Sequence, residues 1–431
     1  MPAPRIAAGL ALLAVSAGLA GCAGPERSSS GVLVGQALPA TGGLARPGEI
    51  MALAVGRALD QVNAAGGVAG APLLLVRQDT ASDAARAGSA AQALVAAGVV
   101  AIVGDVASGH TKAVLQVAEA ARVPVLSPGS TSPEFTALMA AKAEQDRFFF
   151  RTAPSDALRG RVTAAYAVAR GWDRVAVLYD NNPYGNGLKP AFAAAFEAAG
   201  GNVTAVAFEE GRASYADALR RALAGCDGAT NATCPDGVFF IGYPDAALQV
   251  GKDWSARPEW ASLPWLFSDS EQGFYDQLRA ANVSIAGFEA VQPQGEGPGF
   301  AAYQALAGDA PPFSGNAYDA TVLVALAAEA SKGAGGEALR DALRGVANPP
   351  GERVGPADIA RALELARSGE DIDYEGAAGS MNLDALGDVT SAYVVFRIDA
   401  QGKLREKCLI LEAAVVAQPV RIPAACTAAP H

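Results

Sequence analysis

Histidine is almost missing from this chain. Only His110 and His431 occur in 431 residues, so no histidine-rich metal site can be assembled. Positive charge is also short, with 33 Lys and Arg against 44 Asp and Glu. No basic cluster interrupts that balance, which makes nucleic acid and anionic lipid surfaces poor partners. Beyond residue 21 no stretch reaches the ~18 uninterrupted apolar residues that a membrane-spanning helix needs. The chain also lacks a G-x-S-x-G elbow, a phosphate-binding P-loop and a G-x-G-x-x-G dinucleotide loop. His110 stands two residues after Ser108, which invites a nucleophile and its base. A histidine in the first turn of a helix is more simply a capping or rim residue, and these absences together argue against an enzyme.

Cysteine is scarce, and its five positions are informative. Cys22 closes the tetrapeptide Leu19-Ala20-Gly21-Cys22. A short basic start, Met1 to Arg5, and an apolar stretch, Ile6 to Ala20, precede it. That stretch is too short to span a bilayer but suits the core of an export signal. The segment resembles a bacterial lipoprotein signal. The resemblance implies cleavage before Cys22, lipidation of Cys22, and a periplasmic protein tied to a membrane by lipid alone. Residues 1–21 are then signal peptide and residues 22–30 a flexible tether rich in small polar residues. Cleavage removes one basic residue, Arg5, and leaves 32 basic against 44 acidic residues, a net charge of −12. Cys226, Cys234, Cys408 and Cys426 remain, an even number in an exported chain, which suggests disulfides. Closeness in sequence favours Cys226–Cys234 and Cys408–Cys426.

About 410 residues exceed what one core usually serves, so two lobes are expected. From Val32 onward, short apolar runs alternate with helical periodicity. Val32–Gly35, Leu73–Arg77, Val99–Val103 and Val123–Leu126 read as strands, and Glu49–Ala65, Ala84–Ala97 and His110–Ala121 as helices. In the first helix Leu53, Val55, Ala58, Leu59 and Val62 share a face, and Gly66-Gly67 stops it. The rhythm resumes after Arg151, with strands at Arg174–Tyr179, Val203–Phe208, Val238–Ile241 and Trp265–Phe267. Continuous apolar strands separated by helices predict an α/β protein with two doubly wound parallel-sheet lobes.

Ligands of such sheets bind beyond the carboxyl ends of the strands. Four segments occupy that place: Gly104–Thr111, Ser127–Glu134, Asp180–Gly185 and Ser268–Ser270. The first two bring hydroxyls and free backbone N–H groups near helix starts, an environment suited to a carboxylate. Asp269 can pair a cation opposite. Taken singly, each hydroxyl reads equally as a helix cap, Asp269 as the N-cap of the helix after it, and Tyr184 and Tyr243 as core aromatics.

The chain resembles the type I periplasmic binding proteins of branched-chain amino acid ABC transporters, from about Gly31 to about Leu404. The marks are Pro39-Ala40-Thr41-Gly42, Asn63 to Gly70, Ser127 to Thr136, Arg151-Thr152, Tyr184-Gly185 and Tyr318-Asp319-Ala320. The resemblance implies that an amino acid, or a similar small polar ligand, is captured between the lobes by hinge closure and passed to an inner-membrane ABC permease. It also implies a monomer with no cofactor. Ser108, Gly129, Ser130 and Thr131 would hold the ligand carboxylate. Tyr184 and Tyr243 would line the site from the second lobe, and Asp269 would pair with the ammonium. Pro47 departs from the family where relatives carry an aromatic, and Ala81 and Ala107 stand where some relatives have a disulfide. Three crossovers are expected near Arg151–Pro154, Ala286–Ala290 and Glu375–Ser380. Lobe 1 is then 31–153 plus 287–375, and lobe 2 is 154–286 plus 376–431. A non-transport lipoprotein of the same fold, sensing a ligand or activating an envelope enzyme, is the alternative.

Overall fold

The chain enters its first sheet at Val32. The computed structural model describes residues 31–226 and 234–428, so Cys22, the signal segment and the tether lie outside the described residues. In chain order, β1 (Val32–Leu38), α1 (Ala45–Ala64), β2 (Leu73–Asp79), α2 (Ala84–Ala96), β3 (Ile102–Gly104), α3 (Ser108–Ala120), β4 (Val125–Ser127), α4 (Glu134–Ala140) and β5 (Phe149–Arg151) build the first lobe. Their sheet runs β2-β1-β3-β4-β5 and every pairing is parallel. The order reverses between β1 and β3, the place where ligands of open α/β sheets bind.

The second lobe begins with α5 (Asp156–Ala169). It continues with β6 (Arg174–Asp180), α6 (Pro183–Ala198), β7 (Asn202–Phe208), α7 (Ala216–Ala222), β8 (Gly237–Ile241), α8 (Pro244–Ser255), β9 (Trp265–Phe267), α9 (Gln272–Ala280) and β10 (Glu289–Gln294). The chain then returns to the first lobe through α10 (Gly297–Ala307), α11 (Ser314–Ala330), α12 (Gly336–Ala347), β11 (Glu352–Val354), α13 (Ile359–Ser368), β12 (Ile372–Gly376) and β13 (Gly379–Ser380). It ends in the second lobe with β14 (Ala392–Ile398), β15 (Leu404–Ile410), α14 (Glu412–Val415) and α15 (Ala424–Thr427). The second sheet runs β15-β14-β10-β9-β8-β6-β7. Its strands are parallel from β7 to β10, but β14 and β15 join as an antiparallel hairpin at one edge.

These memberships move two of the expected crossovers. The first falls after β5. The second lies after Gln294 rather than near Ala286–Ala290, because β10 is a strand of the second sheet. The third lies in 381–391, because β12 and β13 stay with the first lobe: Tyr374, Ala377, Met381 and Val389 all join its core.

Local chemistry explains several element ends. Helix α1 starts at Ala45, earlier than its periodicity implies, because Pro47 sits in the first turn, where its missing N–H is not needed. Its buried stripe is Met51, Ala54, Val55, Ala58 and Val62, whereas Leu53 is 56% exposed. Gly66 and Gly67, at φ +105° and +74°, end the helix in conformations that favour glycine. The Asn182 side chain accepts from the N–H groups of Tyr184 and Gly185, and Pro183 takes the first helical position of α6. Helix α11 is buried along almost its whole length and forms the axis of the first lobe's core. Cys226 is bonded to Cys234 and Cys408 to Cys426, with Cα separations of 4.8 and 5.1 Å. Among the described residues no helix is long and apolar enough to cross a membrane.

Candidate functional site

One cavity opens beyond the strand ends of both sheets. Ser108, Gly129 and Thr131 line it from the first lobe, and Tyr184, Tyr243 and Asp269 from the second. The first side is built on two turns. Helix α3 makes its first internal bond from Thr111 N–H to the Ala107 carbonyl. The N–H groups of Ser108, Gly109 and His110 therefore stand at the helix's positive end, outside the ladder. Ser108 is inside the helix and its hydroxyl accepts from Ser132 N–H at 3.3 Å, so it is not the cap. Gly129 is fixed by close approach: a Cβ there would stand 2.9 Å from the Val106 carbonyl oxygen and 3.0 Å from Met51 Cε. The loop bearing Gly129 and Thr131 is held from beneath by Arg151, fully buried. Arg151 Nη1 donates to the carbonyls of Ser130 and Ser132 at 3.2 and 3.0 Å. Its Nη2 donates to Thr136 Oγ1 at 2.8 Å, and its Nε to Asp388 Oδ1 at 2.7 Å.

Ser130 does not reach the cavity. Its hydroxyl donates to Thr111 Oγ1 at 2.6 Å and its N–H to Ser127 Oγ at 3.0 Å, so both polar groups are consumed inside the lobe. Consecutive loop residues point opposite ways, and the neighbours Gly129 and Thr131 face the cavity instead. His110 does not serve Ser108 as a base either; its Nδ1 lies 3.7 Å from Asp105 Oδ2.

The second side centres on a cation that sequence reasoning missed. Arg159 is 1% exposed. Its Nη1 lies 3.3 and 3.4 Å from the two carboxylate oxygens of Asp269, 3.1 Å from the Tyr184 hydroxyl and 3.3 Å from the Ser268 carbonyl. Its Nε is 3.4 Å from Asp156 Oδ1. Burial works against the Arg159 charge, but Asp269, Tyr184 and Asp156 outweigh it and hold the proton more tightly than in water. Tyr184 donates to Asp269 Oδ2 at 2.8 Å and stacks on Tyr243 with ring centroids 5.5 Å apart. Asp269 is not a helix cap, because Glu271 occupies that position for α9. Asp156 receives the Thr131 hydroxyl at 2.6 Å, joining the two sides. Burial pushes its carboxyl up to about 6, although Arg159 and Thr131 pull it down.

Between these ends the cavity is apolar, walled by Leu44, Ile50, Met51, Phe240, Phe267 and Phe274. Pro47 lies in the same wall. At the rim Arg46 Nε reaches Glu271 Oε1 at 3.4 Å, linking α1 to the N-terminus of α9. Sequence reasoning also missed Glu271 and Phe313 of the lining. Arg159 carried one signal: it sits three residues after Asp156, on a helix whose neighbouring positions Leu158, Val162 and Tyr166 are buried.

Two α/β lobes with a ligand-sized cleft of hydroxyls, backbone N–H groups and a fixed carboxylate define a two-lobed solute-binding protein. The family model described as periplasmic binding protein matches residues 31–360. The chain belongs to that family. It is 29% identical over 392 residues to the chemotactic signal transduction system substrate-binding protein BasB of Halobacterium salinarum, covering 86% of this chain and 88% of that one. It is 32% identical over 180 residues to a leucine-, isoleucine-, valine-, threonine- and alanine-binding protein of Pseudomonas aeruginosa, covering 42% of this chain and 47% of the relative. Its fold matches a leucine binding protein, LivK, of Thermotoga maritima with a TM-score of 0.71 at 23% identity, over 89% of this chain and 99% of the other. These relatives are binding proteins and not enzymes.

Proposed function

We propose that the chain captures an α-amino acid with a compact apolar side chain between its lobes and delivers it to an ABC permease. The observation that carries this reading is the convergence of Ser108, Gly129 and Thr131 with Tyr184, Tyr243 and Asp269 on one cavity. The Ser108 hydroxyl, the Thr131 N–H and the N–H groups at the start of α3 receive the ligand carboxylate. Asp269, oriented by Arg159 and Tyr184, receives the ammonium. Four charge-assisted hydrogen bonds at roughly 1.5–3 kcal/mol each reach the ~8 kcal/mol of micromolar binding. Pairing Asp269 with Arg159 leaves the cleft near neutrality, which suits a zwitterion. Lipidation at Cys22 belongs to the same reading, supported by the Leu19–Cys22 tetrapeptide; Cys22→Ser should release the protein from membranes, and retention there would refute the anchor.

The test is a thermal-shift screen of the purified chain against all amino acids. One or a few aliphatic amino acids should raise the melting temperature, and Asp269→Ala should abolish the shift. A flat response across the panel would overturn the reading. A second reading, ligand sensing without transport, is favoured by the near full-length match to a chemotaxis substrate-binding protein. It predicts the same binding, with uptake intact when the gene is removed.

A further inference from the structure

A second cavity adjoins the first. It encloses about 410 Å³ against about 120 Å³, and Ser270, Glu271, Pro312 and Phe313 line both. The two spaces therefore share one strip of lining, and Phe313 is its aromatic member. Phe313 precedes α11 with φ +63° and ψ −1°, in the left-handed region. A bulky residue is unusual there, and such backbone outliers cluster at functional positions.

The second cavity has different chemistry from the apolar cleft. Gln292, Gln294, Ser314 and Asn316 line it, with the carboxylates of Glu271 and Asp309. Arg46 is the cation in its lining, and it is already engaged by Glu49 and Glu271. The cavity backs onto the first two passages between the lobes. Asn316 Nδ2 donates to the Thr152 carbonyl at 2.6 Å, while Thr152 Oγ1 donates to the Asn316 carbonyl at 2.7 Å. Gly295, at the second passage, lines the cavity as well.

We propose that the two cavities are halves of one ligand site, divided at Phe313. The Phe313 ring sets the length of side chain that the cleft admits, and the cavity behind it is a subsite for a neutral polar tail, an amide above all. Two carboxylates beside one committed arginine disfavour an anionic tail there. The inference rests on the amino acid reading above.

Phe313→Gly removes the ring and suits the backbone conformation; Phe313→Ala removes the ring but keeps a Cβ. Both are compared with the wild type by isothermal titration against three ligands with the same α-amino acid head: leucine, Nε-acetyl-lysine and 2-aminopimelate. The wild type should bind leucine at least tenfold more tightly than Nε-acetyl-lysine. Both variants should bind Nε-acetyl-lysine at least tenfold more tightly than the wild type does, with no such gain for 2-aminopimelate. An unchanged ratio of leucine to Nε-acetyl-lysine affinity would overturn the partition, and equal gains for both long ligands would overturn the subsite's polarity. A wild type that binds no amino acid would overturn the parent reading and this inference with it, an outcome distinct from the other two.

Discussion

Arg159 holds three of the cleft's polar groups in place, and removing it exposes their dependence on it. In Arg159→Gln, Asp269 loses its cation and Asp156 its ion pair, both at the second lobe's edge of the site. Breaking a buried pair from one side costs about 3–5 kcal/mol. We expect a fall of that order in unfolding free energy by urea titration, and amino acid affinity weakened at least tenfold; an unchanged affinity would show that Asp269 needs no positioning. That Ser108, Gly129, Thr131, Tyr184, Tyr243 and Asp269 line one cavity follows from sequence, because each comes after a strand end, where open α/β sheets bind ligands. Arg159 was not legible, since it lies in a helix and acts on the site through Asp269 and Tyr184. Ser130 was misread because the sequence does not tell which of several adjacent hydroxyls turns inward.

At the scale of elements, the buried carboxylate of α11 ties the lobe's central helix to β12 and the turn that follows it. Asp319 accepts the Tyr374 hydroxyl at 2.9 Å and the N–H groups of Ala377 and Ala378 at 2.7 Å each. Asp319→Ala leaves two buried N–H groups without a partner, at about 1–3 kcal/mol apiece. Its urea midpoint should drop accordingly with an unchanged m-value; a loss under 1 kcal/mol would refute the role. The Tyr318-Asp319-Ala320 triplet thus has a physical reason. The alternation of strands and helices was readable because buried parallel strands are continuous apolar runs. Strand β10 escaped because Glu-Ala-Val-Gln-Pro-Gln reads as a linker. Its charge is neutralised only in three dimensions, where Glu289 meets Arg170, Lys407 and the Tyr166 hydroxyl. The hairpin of β14 and β15 stayed hidden for a related reason: it extends the second sheet against the prevailing direction.

For the molecule as a whole, several carboxyls are protonated too readily for their type. Burial pushes Asp156 up to about 6 and Asp319 up to about 7, and burial with Glu210 nearby raises Asp180 as well. A carboxyl whose pKa is higher folded than unfolded favours the folded state at low pH and loses that contribution as pH rises through the folded value. Asp79, Glu352 and Asp399 are shifted down and act oppositely, weakening the fold only below the ordinary carboxylate range. The melting temperature should therefore peak on the acidic side, near pH 5, and decline toward pH 8. A flat or rising profile between those values would contradict the assignment. The Arg151 clamp has a consequence for rates. It joins the loop bearing Gly129 and Thr131 to Asp388 on the return passage, so in the proposed binding mode the half-site on the first lobe is already assembled when the lobes part. On that proposed mode, arrival should require only collision with a finished surface, and departure should wait on the opening of the second lobe. Changes at Asp269 should accordingly appear in the residence time of the ligand, while changes around Thr131 should slow its association as well.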